Sequence, residues 1–257
     1  MTIAAILNTT LEYKLIPGDP EKPYLVFLHE GLGSVSMWRD FPDKVARQTG
    51  ARALVYSRQG HGQSGPLTGP RTPQFMHDEA LIVLPALLKR LGIEQPILIG
   101  HSDGASIALI HAAQRTHNTH GVVLMAPHVF VEAMTLESIA RIAETYETSD
   151  LRTRLQRHHA HVDDAFRGWS RIWLDPRFQT WSLGAEVQRL AVPTLLIQGT
   201  DDAYGTLAQL DAISEVAPGP VQRVVLNNCG HVPFRDQEAA VLDAVAAFVA
   251  RVVAHLK

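Results

Sequence analysis

Residues 95–113 read Q-P-I-L-I-G-H-S-D-G-A-S-I-A-L-I-H-A-A, and their order predicts a fold and a reactive group together. Pro96 to Ile99 form a short apolar run, and Ala105 to Ala113 have the composition of a buried helix. Between them, Gly100, His101, Ser102, Asp103 and Gly104 leave room only for a sharp turn from strand to helix. Such a turn brings backbones too close for side chains at the glycine positions. It also holds the serine at a strained φ/ψ, with its hydroxyl clear of the sheet.

Working outward, the same kind of apolar run recurs at 23–29, 51–57, 120–126, 193–199 and 221–227. None alternates polar with apolar residues, the pattern of parallel strands covered on both faces. Helical patterns at about 73–92, 103–117, 205–217 and 236–255 lie between or after these strands. This alternation predicts an α/β protein with a mostly parallel, doubly covered sheet. Residues 3–16 could add an antiparallel hairpin at one edge. From 127 to 190 no strong strand candidate occurs, and Trp169, Trp173 and Trp181 fall there. A structureless loop of that length is improbable, so a helical insertion is expected.

Composition narrows the function classes. The 257 residues, 46% hydrophobic and 19% charged, suit a single large folded unit rather than disorder or a coiled coil. Lys and Arg number 23 against 26 Asp and Glu, a net charge of -3. That balance supplies no electrostatic reason to bind nucleic acid or an anionic membrane. One cysteine excludes an internal disulfide and a cysteine-based zinc site. The opening MTIAAILNTTLEYK lacks a basic segment and turns polar early, so no secretory leader and a cytoplasmic protein are expected. The longest apolar stretch, 241–256, is broken by Asp243 and Arg251 and reads as an amphipathic helix.

A serine hydroxyl needs a base to remove its proton. His231 follows the last strand, in Asn228-Cys229-Gly230-His231, which places an imidazole at the carboxyl edge of the sheet. Asp201 and Asp202 follow the strand at 193–199, and either one can accept the imidazole Nδ1–H.

Ser102, then an aspartate, then His231, each after a strand, resembles the α/β-hydrolase superfamily over essentially the whole chain. In that family the acid usually stands three residues after the glycine closing its strand, here Gly199, which selects Asp202. The resemblance also implies a core of residues 1–126 and 191–257 with a helical cap of 127–190 inserted in it. His29-Glu30-Gly31-Leu32-Gly33-Ser34 is similar to the family's H-G-x-x-G-S loop, which implies the Gly31 N–H as one oxyanion donor and that of Asp103 as the other. Ser57 to Ser64 resemble its D-x-x-G-x-G-x-S turn. Three departures stand out: Glu30 for glycine, Ser57 for aspartate, and Asp103 directly after the serine. Without the aspartate, the turn at Ser57 must be pinned differently. The Glu30 and Asp103 carboxylates either disfavour anionic substrates or pair with Arg58.

Other motifs have plainer explanations. Gly60-x-Gly62-x-x-Gly65 matches a dinucleotide fingerprint, but prolines rather than a helix follow it. His158-His159-Ala160-His161-Val162-Asp163-Asp164 resembles a metallohydrolase run, yet reads as a polar face of a helical segment. Cys229 reads as a buried thiol beneath the His231 loop. Of Trp38, Trp169 and Trp173, at least one is expected to line a pocket.

The expected activity is therefore a serine hydrolase cleaving a small-molecule carboxylic ester, thioester or lactone, with no metal or organic cofactor. Carbon–carbon bond hydrolysis, aminopeptidase and perhydrolase chemistry share the constellation, as does a slow-turnover small-molecule receptor. A metal-dependent hydrolase is a third reading, tested by chelators. A serine at the turn argues against dehalogenase and epoxide-hydrolase chemistry. Oligomeric state is not legible.

Overall fold

The structure is a computed structural model describing residues 2–114 and 119–256. Eight strands form one sheet: β1 (Thr2–Ile6), β2 (Thr9–Ile16), β3 (Leu25–Leu28), β4 (Ala53–Tyr56), β5 (Ile97–His101), β6 (Gly121–Met125), β7 (Thr194–Gly199) and β8 (Val221–Leu226). Their spatial order is β1-β2-β4-β3-β5-β6-β7-β8. β1 and β2 pair antiparallel as the expected edge hairpin, and β2 is antiparallel to β4. From β4 to β8 every pairing is parallel.

The unbroken apolar runs become strands β3 to β7, buried on both faces at every residue. The sixth run departs from expectation. β8 ends the sheet and is half exposed, so its polar Gln222 and Arg223 are ordinary edge chemistry.

The helices are α1 (Phe41–Thr49), α2 (Phe75–Asp78), α3 (Leu84–Leu91), α4 (Asp103–Ala112), α5 (Ala133–Thr148), α6 (Leu151–Gln156), α7 (Val162–Trp173), α8 (Gly184–Val187), α9 (Ala208–Ser214), α10 (Pro233–Asp236) and α11 (Glu238–Ala254). One face of the sheet is covered by α1 and α11, where Phe27, Trp38, Phe41 and Phe234 interlock with ring centroids 4.7–6.3 Å apart. The other is covered by α3, α4 and the helices that follow β6. Apolar burial of this kind stabilises by about 1.5–3 kcal/mol per large side chain.

One helix went unread, and one helical expectation needs correction. The stretch 41–49, not read as a helix, forms α1 and buries Phe41, Val45 and Ala46 on one face. Pro42 at its start and Gly50 beyond its end, at φ 69°, are the signals that mark it. The pattern at 73–92 is one path but not one α-helix. Between α2 and α3 the chain widens into a π turn at Glu79–Val83, just before Pro85. The predicted end of the 103–117 helix at 115–117 lies outside the described residues. Among the described residues, no helix is long and apolar enough to cross a membrane.

Residues 127–190 leave the sheet after β6 and return at β7, carrying α5 to α8. Their inner surface meets the loops at the carboxyl ends of the strands. His159 Nδ1 accepts the Gly62 N–H (3.0 Å), and its Nε2–H donates to the Leu32 carbonyl (3.0 Å). Asp164 Oδ2 accepts the Leu67 N–H (3.0 Å).

Candidate active site

Ser102 sits between β5 and α4 at φ 52° and ψ −120°, a conformation costly for a residue with a side chain. The flanking glycines make it possible. A Cβ on Gly104 would strike the Leu28 carbonyl, and one on Gly100 would strike the Gly104 backbone. The Ser102 N–H is anchored to the Met125 carbonyl (2.9 Å), so its hydroxyl projects from a turn tied to β6.

The loops after β7 and β8 are laced together. Thr200 N–H donates to Leu226 O and Asp201 N–H to Cys229 O (2.9 Å each). A Cβ on Gly199 would collide with the Cys229 carbonyl, so these loops approach only through glycine. The lacing places the Asp202 carboxylate 2.8 and 2.9 Å from His231 Nδ1, and His231 Nε2 lies 2.9 Å from Ser102 Oγ. Ser102 and Asp202 are each 6% exposed. Burial pushes the Asp202 carboxyl up, but the His231 hydrogen bond and the Tyr204 N–H (2.8 Å) bring it below its ordinary value. Asp201, the other acid left open by spacing, instead accepts the Thr200 hydroxyl (2.9 Å).

Gly31 and Asp103, the sequence-predicted oxyanion donors, flank the serine region. Asp103 opens α4, where backbone N–H groups have no intrahelical acceptor. Gly31 is pressed by the Trp169 ring where a Cβ would stand, and its carbonyl is held by His61 Nε2–H (2.9 Å).

The departures from the family pattern resolve as follows. Arg58 reaches neither carboxylate by hydrogen bond. Its guanidinium donates to the backbone carbonyls of His29 and, at 2.9 Å, Glu30. The Asp103 carboxylate accepts Trp173 Nε1–H (3.1 Å), while burial raises its carboxyl above the ordinary value. The Glu30 carboxylate faces His101 Nδ1 at 3.4 Å, and His101 Nε2–H donates to the His231 carbonyl (2.6 Å). Glu30 therefore acts through His101 on the backbone of the histidine loop. Ser57 is pinned by Glu12 of β2, whose Oε2 accepts both Ser57 Oγ–H (2.7 Å) and Gln63 N–H (3.0 Å). Sequence reading missed Glu12. Its signal was an acid inside a strand, and it is 1% exposed.

Burial would raise the Glu30 carboxyl, but the His101 hydrogen bond and charge hold it at about 2, against an ordinary 4.5. Because the folded value is the lower one, the contribution is complete above pH 4.5 and vanishes as pH falls through 2. Glu30→Gln is expected to cost up to about 3 kcal/mol of stability at pH 7, with the gap closing toward pH 2. Urea unfolding of both proteins across that range checks this, and equal stability at pH 7 would refute the pairing.

The remaining motifs are structural. The His158–His161 run is not helical, in contrast to its sequence reading. It forms the turn before α7, with His158 Nδ1 on Ser36 Oγ (2.9 Å) and His159 bridging two loops. Among the described residues, no group of three or more potential ligands is placed to hold a metal ion. Cys229 is buried, and burial pushes its thiol up to about 11. Trp38 belongs to the core, whereas Trp169 and Trp173 of α7 face the serine region.

The chain is 25% identical to the sn-1-specific diacylglycerol lipase ABHD11 of Mus musculus, over 93% of this chain and 85% of that one. It is 20% identical to a proline iminopeptidase of Lactobacillus helveticus, over 86% and 88% of the two chains. The crystal structure of the enol-lactonase from Burkholderia xenovorans LB400 shares the fold, with a TM-score of 0.75 at 22% identity over 97% of this chain and all (100%) of that one. Residues 25–244 match the family model described as the alpha/beta hydrolase family, and the chain, a hydrolase, belongs to that family.

Proposed function

We propose that the protein is a serine hydrolase acting on carboxylic esters, thioesters and lactones included. The observation that carries this reading is the unbroken hydrogen-bonded chain from Asp202 through His231 to Ser102. Ser102 Oγ attacks the substrate carbonyl carbon while His231 Nε2 takes its proton. The carbonyl π electrons move onto oxygen, where the Gly31 and Asp103 N–H groups receive the charge; each such donor contributes about 3–4 kcal/mol. Collapse expels the alcohol, which takes the proton from His231 and leaves an acyl-serine. Water then attacks, losing its proton to His231, and collapse returns that proton to Ser102 Oγ and frees the acid. Asp202 holds the imidazole in one tautomer throughout and stabilises its cation. None of these steps calls for a metal or organic cofactor.

Residues 127–190 serve as a helical cap on a core of 1–126 and 191–257 in this reading. The Trp169 contact with Gly31 and the Trp173 bond to Asp103 support that role.

Incubation with a fluorophosphonate, followed by peptide mass spectrometry, tests the proposal alongside p-nitrophenyl butyrate hydrolysis. An adduct on Ser102 with ester turnover is expected. No adduct and no turnover would overturn it in favour of a receptor.

A further inference from the structure

Trp169 and Trp173 stand four residues apart in α7 and so share one face of the helix. Each meets one of the two residues assigned to the oxyanion. A Cβ at Gly31 would lie 2.2 Å from Trp169 Cδ1 and Nε1, so the indole edge rests on the Gly31 backbone. Trp173 Nε1–H donates to Asp103 Oδ1 at 3.1 Å, a bond buried at both ends.

The two donors differ in what else fixes them. Asp103 opens α4 directly after the elbow. Gly31 belongs to the stretch 29–34, which is neither helix nor strand and takes its shape from contacts. Most of those contacts come from the loop at 58–64 and from the region around α7. His61 Nε2–H holds the Gly31 carbonyl (2.9 Å), and His159, just before α7, holds the Leu32 carbonyl (3.0 Å). Further along, Asp164 takes the Leu67 N–H, and a Cβ on Gly168 would stand 2.6 Å from Leu67 Cδ1. Trp173 is itself wedged against His128, Phe178 and Trp181, with ring centroids 5.1, 5.0 and 6.2 Å away. The helix is thus seated on the oxyanion loop and on the first residue of α4 together.

We propose that Trp169 and Trp173 are positioning residues for the oxyanion hole, which is complete only while α7 is docked. The proposal rests on the serine-hydrolase reading and adds to it a dependence of chemistry on the inserted helices. A donor stabilises the oxyanion only if its N–H already points where charge develops, and a displacement of about 1 Å can cost about 100-fold. The Trp169 edge fixes where the Gly31 peptide sits. The Trp173 bond restrains the start of α4 through the Asp103 side chain. A substrate that lifts α7 on entry dismantles the hole, so acyl transfer follows only once α7 has returned.

The test is steady-state kinetics on p-nitrophenyl butyrate with Trp173→Phe, which keeps a ring and loses Nε1–H, and with Trp169→Leu. Each should lower kcat about 10- to 100-fold while KM changes about 3-fold at most. Inhibition by 1,1,1-trifluoroheptan-2-one, whose serine adduct carries a tetrahedral alkoxide, should weaken by the same factor as kcat/KM. Trp181 Nε1 has no partner, so Trp181→Phe should leave kcat and KM unchanged. In an Asp103→Ala background, Trp173→Phe should cost nothing further, because the bond is already gone. Thermal melts verify folding. A raised KM at unchanged kcat would make the tryptophans a pocket wall and overturn the proposal, as would additive losses in the double variant. Hydrogen exchange read by NMR should quicken at the Gly31 amide in Trp169→Leu and at the Asp103 amide in Trp173→Phe. Exchange unaltered in both would overturn the proposal whether or not esters are hydrolysed. If the wild type shows neither turnover nor a fluorophosphonate adduct, the hydrolase reading fails and the oxyanion role falls with it.

Discussion

Ser102→Ala is expected to reduce ester turnover about a million-fold while leaving the fold intact. In the proposed mechanism the hydroxyl is the group that becomes bonded to the acyl carbon, and alanine has nothing to put in its place. The elbow itself does not depend on the hydroxyl, because Gly100 and Gly104 and the Ser102 N–H to Met125 O bond define it. The same logic ranks the two aspartates. Asp202→Asn keeps the shape but presents an amide to His231 Nδ1, which disfavours the productive tautomer and should cost about 10⁴-fold in kcat. Asp201→Asn touches only Thr200 and should cost a few-fold at most. Steady-state kinetics on p-nitrophenyl butyrate decides both. Substantial turnover by Ser102→Ala would remove the mechanism, and a larger effect at 201 than at 202 would reassign the acid.

A steep loss of stability in mild acid is the second large effect expected. His29, His61, His128 and His159 are each no more than 2% exposed. Burial is the main cause that lowers all four: His128 to about 3, His159 to about 4, and His29 and His61 well below the ordinary 6.5. Two of them also use a ring nitrogen as an acceptor, His29 for the Arg58 N–H and His159 for the Gly62 N–H, which protonation would destroy. Since the folded values lie below the unfolded one, the unfolded chain takes up protons that the folded chain refuses as pH drops below 6.5. Their stabilisation is complete above that pH and is lost as pH falls toward 4. Each histidine contributes a slope of up to about 1.4 kcal/mol per pH unit. Asp103 and Glu79, raised by burial, work in the opposite sense and offset part of this. A net two protons still removes about 3 kcal/mol per unit, against a typical total of about 5–15 kcal/mol. Urea midpoints measured from pH 7 to pH 4 should fall steeply below 6, and His159→Gln should flatten the slope by one proton. A stability that stays level to pH 4.5 would contradict the neutral buried histidines.

Legibility followed the range of the interactions. The elbow at 100–104 and strands β3 to β7 could be read because their causes are local: glycines where backbones meet, and unbroken apolar runs where both faces are covered. The ends of the sheet were less legible. β8 reads as one more apolar run despite Gln222 and Arg223, and its terminal place in the sheet leaves it half exposed. The helix α1 was missed because it is short and mostly polar outside Phe41, Val45 and Ala46, and its limits are written in single residues, Pro42 and Gly50.

The candidate site divides the same way. Its chemical alphabet was in the chain order, with a serine, an aspartate and a histidine each placed just after a strand, because parallel strands deliver their following loops to one edge. Which partners those groups keep was decided only by tertiary structure. Glu12 supplies from β2 the carboxylate that the turn at Ser57 lacks, 45 residues away. Glu30 answers to His101 rather than to Arg58. Those choices depend on side chains brought together from distant loops and on the water excluded between them. No local pattern of residues encodes either.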